Sequence, residues 1–150
     1  MKIILIASDH AGFNLKEKLK SYLAAIGYLA KDLGTYCKDS CDYPDFAADL
    51  ARNISRQKYK QGILICKSGI GNSIVANRFS GVRAALCYNP KAARLSREHN
   101  DSNVLVLGSG FVNEKLAKRI LNVWLHAEFQ GGRHRRRLNK IKKIEKMGKR

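Results

Sequence analysis

Apolar residues along this chain switch between two spacings. Short aliphatic runs occur at Lys2–Ala7, Tyr28–Leu33, Gly62–Cys66, Arg83–Cys87 and Val104–Leu107. Runs of this length, bounded by polar segments, predict buried strands. Between them the apolar positions recur every three or four residues. Leu15, Leu19, Tyr22 and Leu23 form one such stripe, Phe46, Leu50 and Ile54 a second, and Ile74, Val75 and Phe79 a short third. Ala92, Leu95 and His99 give a fourth, and Leu116, Ile120, Val123 and Trp124 a fifth. Each stripe predicts a helix with one inward face. Pro44 behind Asp42-Tyr43, and Asn89-Pro90, mark two of the helix starts. Strands alternating with helices over short connections require a parallel sheet covered on both faces. The expected fold is therefore α/β, a three-layer α/β/α, Rossmann-like architecture around a five-stranded parallel sheet. No internal repeat or Ser/Pro-rich linker interrupts it.

The pattern changes after Gly131-Gly132, where Leu138, Ile141, Ile144 and Met147 recur every three residues in a basic background. This predicts an amphipathic helix whose apolar stripe needs a cover. The expected organisation is an α/β domain over 1–132 and a basic helical extension over 133–150 that packs on a partner subunit. Charge sharpens the division. The formal net charge is +17, and the last eighteen residues hold ten Lys/Arg against one Glu, so +9 lies in the tail and +8 in residues 1–132. Such a tail reads either as an anion or nucleic-acid contact or as a solvated terminal helix. The last aromatic is Phe129, and a tail without stacking side chains argues against a nucleic-acid partner.

At 150 residues the chain is single-domain in length and can bury about two-thirds of its unfolded surface. Only five apolar residues follow Met1-Lys2, too few for a signal-peptide core, and no run approaches membrane-spanning length. A cytoplasmic, reducing setting is the expectation. Cys37 and Cys41 have no second Cys/His pair beside them and read as free thiols in a loop rather than a zinc site. His126 and His134 likewise lack a metal partner at helical spacing, so no metal and no cofactor is assigned.

Two stretches carry candidate chemistry. Cys66-Lys67-Ser68-Gly69-Ile70-Gly71-Asn72-Ser73 follows the third predicted strand and leads into a helix. A thiol at a strand's carboxyl end, beside a glycine-rich turn, sits where its pKa tends to fall and where amides gather around negative charge. The loop is neither a phosphate-binding Walker loop, since no Gly-Lys-Ser/Thr follows, nor a dinucleotide fingerprint, since Ile74 takes the third glycine position. Read alone, Cys66 could equally be a small core residue. Ser96-Arg97-Glu98-His99-Asn100-Asp101 supplies a histidine able to move protons near neutral pH. Together the two stretches suggest proton transfer on a small anionic substrate. Asp9-His10 falls on the same sheet edge as Cys66, where Asp9 could also serve as a helix cap. Tyr43 could simply pack over Pro44. His99 ends a helix before the last strand, so it belongs to the opposite edge, about 17–20 Å away across a strand of five or six residues. Either it is an ordinary helix-end histidine, or the site is assembled from two chains.

Five segments in order resemble the type B ribose-5-phosphate isomerases, a family that also contains isomerases of galactose and allose 6-phosphates. They are Ser8-Asp9-His10-Ala11-Gly12, Asp42-Tyr43-Pro44, the cysteine loop with Ala76-Asn77-Arg78, Ser96 to Asp101, and Gly131-Gly132-Arg133-His134, spread over roughly residues 1–137. The resemblance implies an aldose–ketose isomerase without metal or nucleotide. It implies Cys66 as the base that takes the C2 proton and returns it at C1, with Ser68 and His99 as the other catalytic groups and His99 opening the sugar ring. It assigns Asp9, His10, Tyr43, Lys67, the amides of Gly69, Ile70 and Gly71, and Asn100 to the substrate, and Arg133 and Arg137 to its phosphate. It also implies a homodimer with shared sites, with pairing of dimers into a tetramer left open. Some relatives use a glutamate within the loop instead of the cysteine; here the loop offers Asn72, which cannot act as a base. Two residues depart from the family pattern. Lys67 stands where many relatives have glycine, so a positive φ there would be strained. Gly110 replaces an arginine that many relatives use on the phosphate. The alternatives are an isomerase of a six-carbon sugar phosphate and, in another class, a phosphate- or RNA-binding module using the basic tail.

Overall fold

The computed structural model describes residues 1–148; the last two residues of the expected tail lie outside them. Five strands, β1 (Lys2–Ser8), β2 (Tyr28–Asp32), β3 (Gly62–Cys66), β4 (Ala84–Leu86) and β5 (Val104–Gly108), form one sheet in the order β2-β1-β3-β5-β4. Every pairing is parallel. Six helices complete the chain: α1 (Phe13–Ala25), α2 (Tyr43–Ser55), α3 (Ile70–Ala76), α4 (Pro90–Glu98), α5 (Glu114–His126) and α6 (Arg133–Met147). Alternation along the strands sends Ile4, Ile6, Ile63, Ile65, Leu105 and Leu107 into a core with α1, α4 and α5. Leu5, Ala7, Leu64, Val104 and Val106 face α2 and α3. The central strands are thus buried on both faces, which is why they read as continuous aliphatic runs.

The differences from the sequence pattern have local causes. β4 is only three residues long, because Arg83 spends its amide on Asn103 Oδ1 (2.8 Å) and its guanidinium on the Asp101 carbonyl (2.8 Å). The short α3 buries Asn72 and Ala76 rather than Ile74, which is exposed. In α4 the inward residues are Ala93 and Ser96, one position on from Ala92 and Leu95. In α1 the fully buried Lys16 joins the leucine stripe. Its Nζ donates to Asp32 Oδ1 and Oδ2 at 2.6 and 2.8 Å and to the Thr35 carbonyl, pinning the loop after β2. Burial alone would push the Asp32 carboxyl up, but hydrogen bonds from Lys16, Lys20 and the Gly34 amide hold it below the ordinary range.

α6 only partly fulfils the expected uncovered stripe. His134 and Leu138 are buried against the same chain, and Glu145 Oε1 accepts the Gly81 amide at 2.9 Å. Ile141, Ile144 and Met147 remain 52%, 67% and 72% exposed. No helix among the described residues is long and apolar enough to cross a membrane.

Candidate active site

α1 covers one face of the sheet and α2 the other, so neighbouring β1 and β3 end at the topological switch point, the edge at which open α/β sheets take ligands. The Asp9 amide donates to the Ile65 carbonyl at 3.3 Å, holding the β1 turn against β3. Asp9 is buried, and its Oδ1 accepts the Gly12 amide at 3.0 Å, closing the turn before α1, whose N-cap is Gly12 itself rather than Asp9. His10 Nδ1 accepts the Cys41 amide at 3.2 Å. That amide can only donate, so the neutral His10 ring carries its proton on Nε2.

Cys66 is the last residue of β3 and is 4% exposed. Its Sγ accepts the Gly69 amide at 3.2 Å. Gly69 sits at φ +81°, the left-handed conformation that turns the loop amides back onto the sulfur. The expected depression of the thiol pKa is nevertheless reversed in the single chain. Burial pushes the Cys66 thiol up, the Asp9 charge adds to this, and the amides of Asn72, Gly69 and Ser68 only partly offset it. Ser68 Oγ accepts the Ile70 amide at 3.1 Å, and the Ser68 carbonyl accepts the Tyr88 hydroxyl at 2.8 Å. Tyr43 opens α2 and lies on Gly71, where a Cβ would come within 2.3 Å of its ring.

Lys67 is unstrained. Among the described residues only Gln57 and Asp101 are non-glycines with positive φ, so the position does not need glycine here. Its aliphatic stem crosses Gly110, whose added Cβ would stand 3.0 Å from Lys67 Cε. The two departures from the family pattern are therefore spatially one, since Lys67 occupies the space a side chain at 110 would use.

The sheet's amino edge holds the other candidates. His99 caps the end of α4 and stacks on His134, with ring centroids 4.2 Å apart and planes 10° from parallel. Burial lowers the His134 pKa, and His99, Arg133 and Arg137 lower it further. Arg133 and Arg137 lie one turn apart on α6, exposed, and Asn100 is exposed beside His99. Gly62 pairs with Val104 at this edge, whereas Cys66 pairs with Gly108 at the other. Four residue steps of β3 separate them, about 13 Å. One chain thus groups Asp9, His10, Tyr43 and the Cys66–Gly71 loop, and separately groups His99, Asn100, Arg133 and Arg137. Among the described residues, no three His, Cys, Asp or Glu side chains are arranged to hold a metal ion.

The family described as Ribose/Galactose Isomerase matches residues 4–141. The chain belongs to this family. It is 44% identical over 145 residues to ribose-5-phosphate isomerase B of Escherichia coli, covering 97% of both chains. Its fold is similar to that of Clostridium thermocellum ribose-5-phosphate isomerase B, with a TM-score of 0.95, 48% identity and coverage of 97% of this chain and 98% of that one. It is also similar to the Mycoplasma genitalium ribose-5-phosphate isomerase B with bound ribulose-5-phosphate, with a TM-score of 0.92, 42% identity and 96% of each chain covered.

Set within the family's fold, several residues around the candidate site gave no usable signal in the sequence. The His10 partner is a backbone amide 31 positions away, the His99 partner is a second histidine on another helix, and Lys16 occupies a place that periodicity would give to an apolar side chain. Asn72 was visible as a polar residue in the loop, but its burial was not.

Proposed function

We propose that the chain interconverts D-ribose 5-phosphate and D-ribulose 5-phosphate in the cytoplasm, as a homodimer whose sites are shared between subunits. The observation that carries this is the Cys66 thiol, buried at the end of β3 and receiving the Gly69 amide beside further loop amides. Such a group needs only a local cation to become a base, and the amides beside it suit an oxyanion. His99 of the partner subunit opens the sugar ring, and Asn100 of the partner subunit binds the substrate. Cys66 as thiolate then takes the C2 proton. The C2–H pair becomes the C1=C2 bond and the carbonyl pair moves to O1, giving a cis-enediolate. After a proton shift from O2 to O1, the C2 carbonyl forms and the thiol returns its proton to C1. Ser68 shapes the loop through Ile70, while the amides of Gly69, Ile70 and Gly71 face the oxyanion. Asp9, His10 and Tyr43 line the sugar, and Lys67 adds a cation at the mouth. Arg133 and Arg137 of the partner subunit hold the phosphate as planar forks. The four unpaired cysteines suit a reducing compartment.

The test is ribulose 5-phosphate formation by purified, chelator-treated, nucleotide-free protein, run beside allose and galactose 6-phosphates. Turnover of a six-carbon substrate alone would move the assignment to the second sugar class. No turnover of any of them would remove the isomerase reading.

A further inference from the structure

We propose that Asn72 is a further catalytic residue, whose carboxamide hydrogen-bonds the C1 and C2 oxygens of the sugar during isomerisation. This rests on the reading of Cys66 as the base. Four buried side-chain polar atoms lack a hydrogen-bond partner among the described residues: Ser8 Oγ, Arg97 Nε and both Asn72 Oδ1 and Nδ2. Asn72 contributes two of the four, an amide with neither its NH2 nor its carbonyl satisfied, and it is only 1% exposed. Burying an amide without partners is costly, and an aliphatic residue of the same size would avoid that cost. The helix position itself calls for such a residue, since Asn72 shares the inward face of α3 with Ala76, a member of the apolar core.

The location supplies the use. Strand alternation puts Cys66 on the α2/α3 side of the sheet, with Leu64, and the Asn72 amide is one of the three that stabilise the Cys66 sulfur as thiolate. Thiol and carboxamide are both enclosed, 4% and 1% exposed, and the Asn72 backbone amide acting on the Cys66 sulfur ties them to one turn of the loop. The Tyr43 ring, 37% exposed, rests on Gly71, the residue before Asn72, and so stands between that spot and solvent. The chemistry also matches. The open-chain aldose and ketose each present one carbonyl and one hydroxyl on adjacent carbons, and the enediolate between them presents one anionic oxygen and one hydroxyl. A carboxamide offers an N–H donor to the first and a carbonyl acceptor to the second. Proton abstraction remains with Cys66.

Asn72→Leu removes both groups at nearly constant volume. The expected result is a kcat about 100-fold lower or less still, the range for losing one donor to a developing oxyanion, with KM little changed and a thermal midpoint equal to or above wild type. A kcat within threefold of wild type would overturn the proposal, as would a lower midpoint with kcat preserved, which marks a merely structural amide. Asn72→Ala provides the same reading if leucine does not fit. Independently of any variant, the side-chain amide signals of Asn72 in the labelled wild-type protein should shift and exchange more slowly on adding ribulose 5-phosphate; no movement at saturation would sink the idea. Cys66→Ala, run in parallel, separates the two claims. If it stays active the base assignment fails, whatever Asn72 does; if it is inactive while Asn72→Leu is fully active, only the carboxamide proposal fails.

Discussion

The two edges of this sheet are built from opposite materials. At the carboxyl edge a buried thiol sits near Asp9 and has its pKa pushed up. At the amino edge His99, His134, Arg133 and Arg137 crowd together and push protons off His134. One edge has a thiol that is too protonated to act as a base; the other gathers two arginines and two histidines. Each edge supplies what the other lacks, which is the physical case for a site closed between two copies of the chain.

The largest break in that comparison comes from the thiol. Cys66→Ala should lower kcat at least about 100-fold, the usual cost of deleting a positioned base, while Cys37→Ser and Cys87→Ser stay substantially active. Activity within a factor of two of wild type would end the thiol mechanism.

Mixing the inactive, folded variants Cys66→Ala and His99→Asn asks whether the edges meet across subunits. In a hybrid dimer one site carries both lesions and the other none. With free exchange about half the dimers are hybrids, so activity should return to roughly a quarter of wild type. Exchange demonstrated by mass without any recovered activity means that both residues act within one chain.

A smaller effect reads the electrostatics directly. Burial raises the thiol above its ordinary 9.0, so in the single chain its thiolate appears only at alkaline pH. Cations from a partner should bring it back down. The alkylation rate of the Cys66 peptide, followed against pH by mass spectrometry, should have a lower midpoint in wild type than in Arg133→Met/Arg137→Met/His99→Asn. Coincident midpoints would show that the two edges do not share an electrostatic field.

Lys16→Met tests a support of the carboxyl edge rather than its chemistry. It leaves the half-buried Asp32 beside only Lys20 and frees the loop that carries the Cys41 amide to His10. The expected loss is about 3 kcal/mol in urea unfolding, the low end for breaking a buried pair, with a modest rise in KM. The Asp32 carboxyl is held below its ordinary 3.8 in the folded protein, so its contribution to stability is present above that value and fades as pH falls through the folded pKa. The gap between wild type and Lys16→Met should therefore narrow in acid; a constant gap down to the lowest accessible pH would rule out the ion pair as its source.

How much of this was legible before folding depends on range. The aliphatic runs marked β1, β3 and β5 to within a residue, because a strand buried on both faces has no polar side to blur its ends. Pro44 and Pro90 located two helix starts for an equally local reason, the fixed φ of proline in a first turn. The strand-to-loop position of Cys66 and the helix-to-strand position of His99 placed them on opposite edges, since strand direction in a parallel α/β chain follows from connectivity alone. Tertiary structure decided what depends on contacts between distant segments. It set the sign of the Cys66 shift, because desolvation by a three-layer fold outweighs three local amides that the loop sequence could foretell. It buried Lys16 and Asn72 in positions whose polarity pointed outward, and only packing reveals which polar groups are enclosed and whether they are paired. It joined Lys67 to Gly110 and His99 to His134, pairs 43 and 35 positions apart that no periodicity connects.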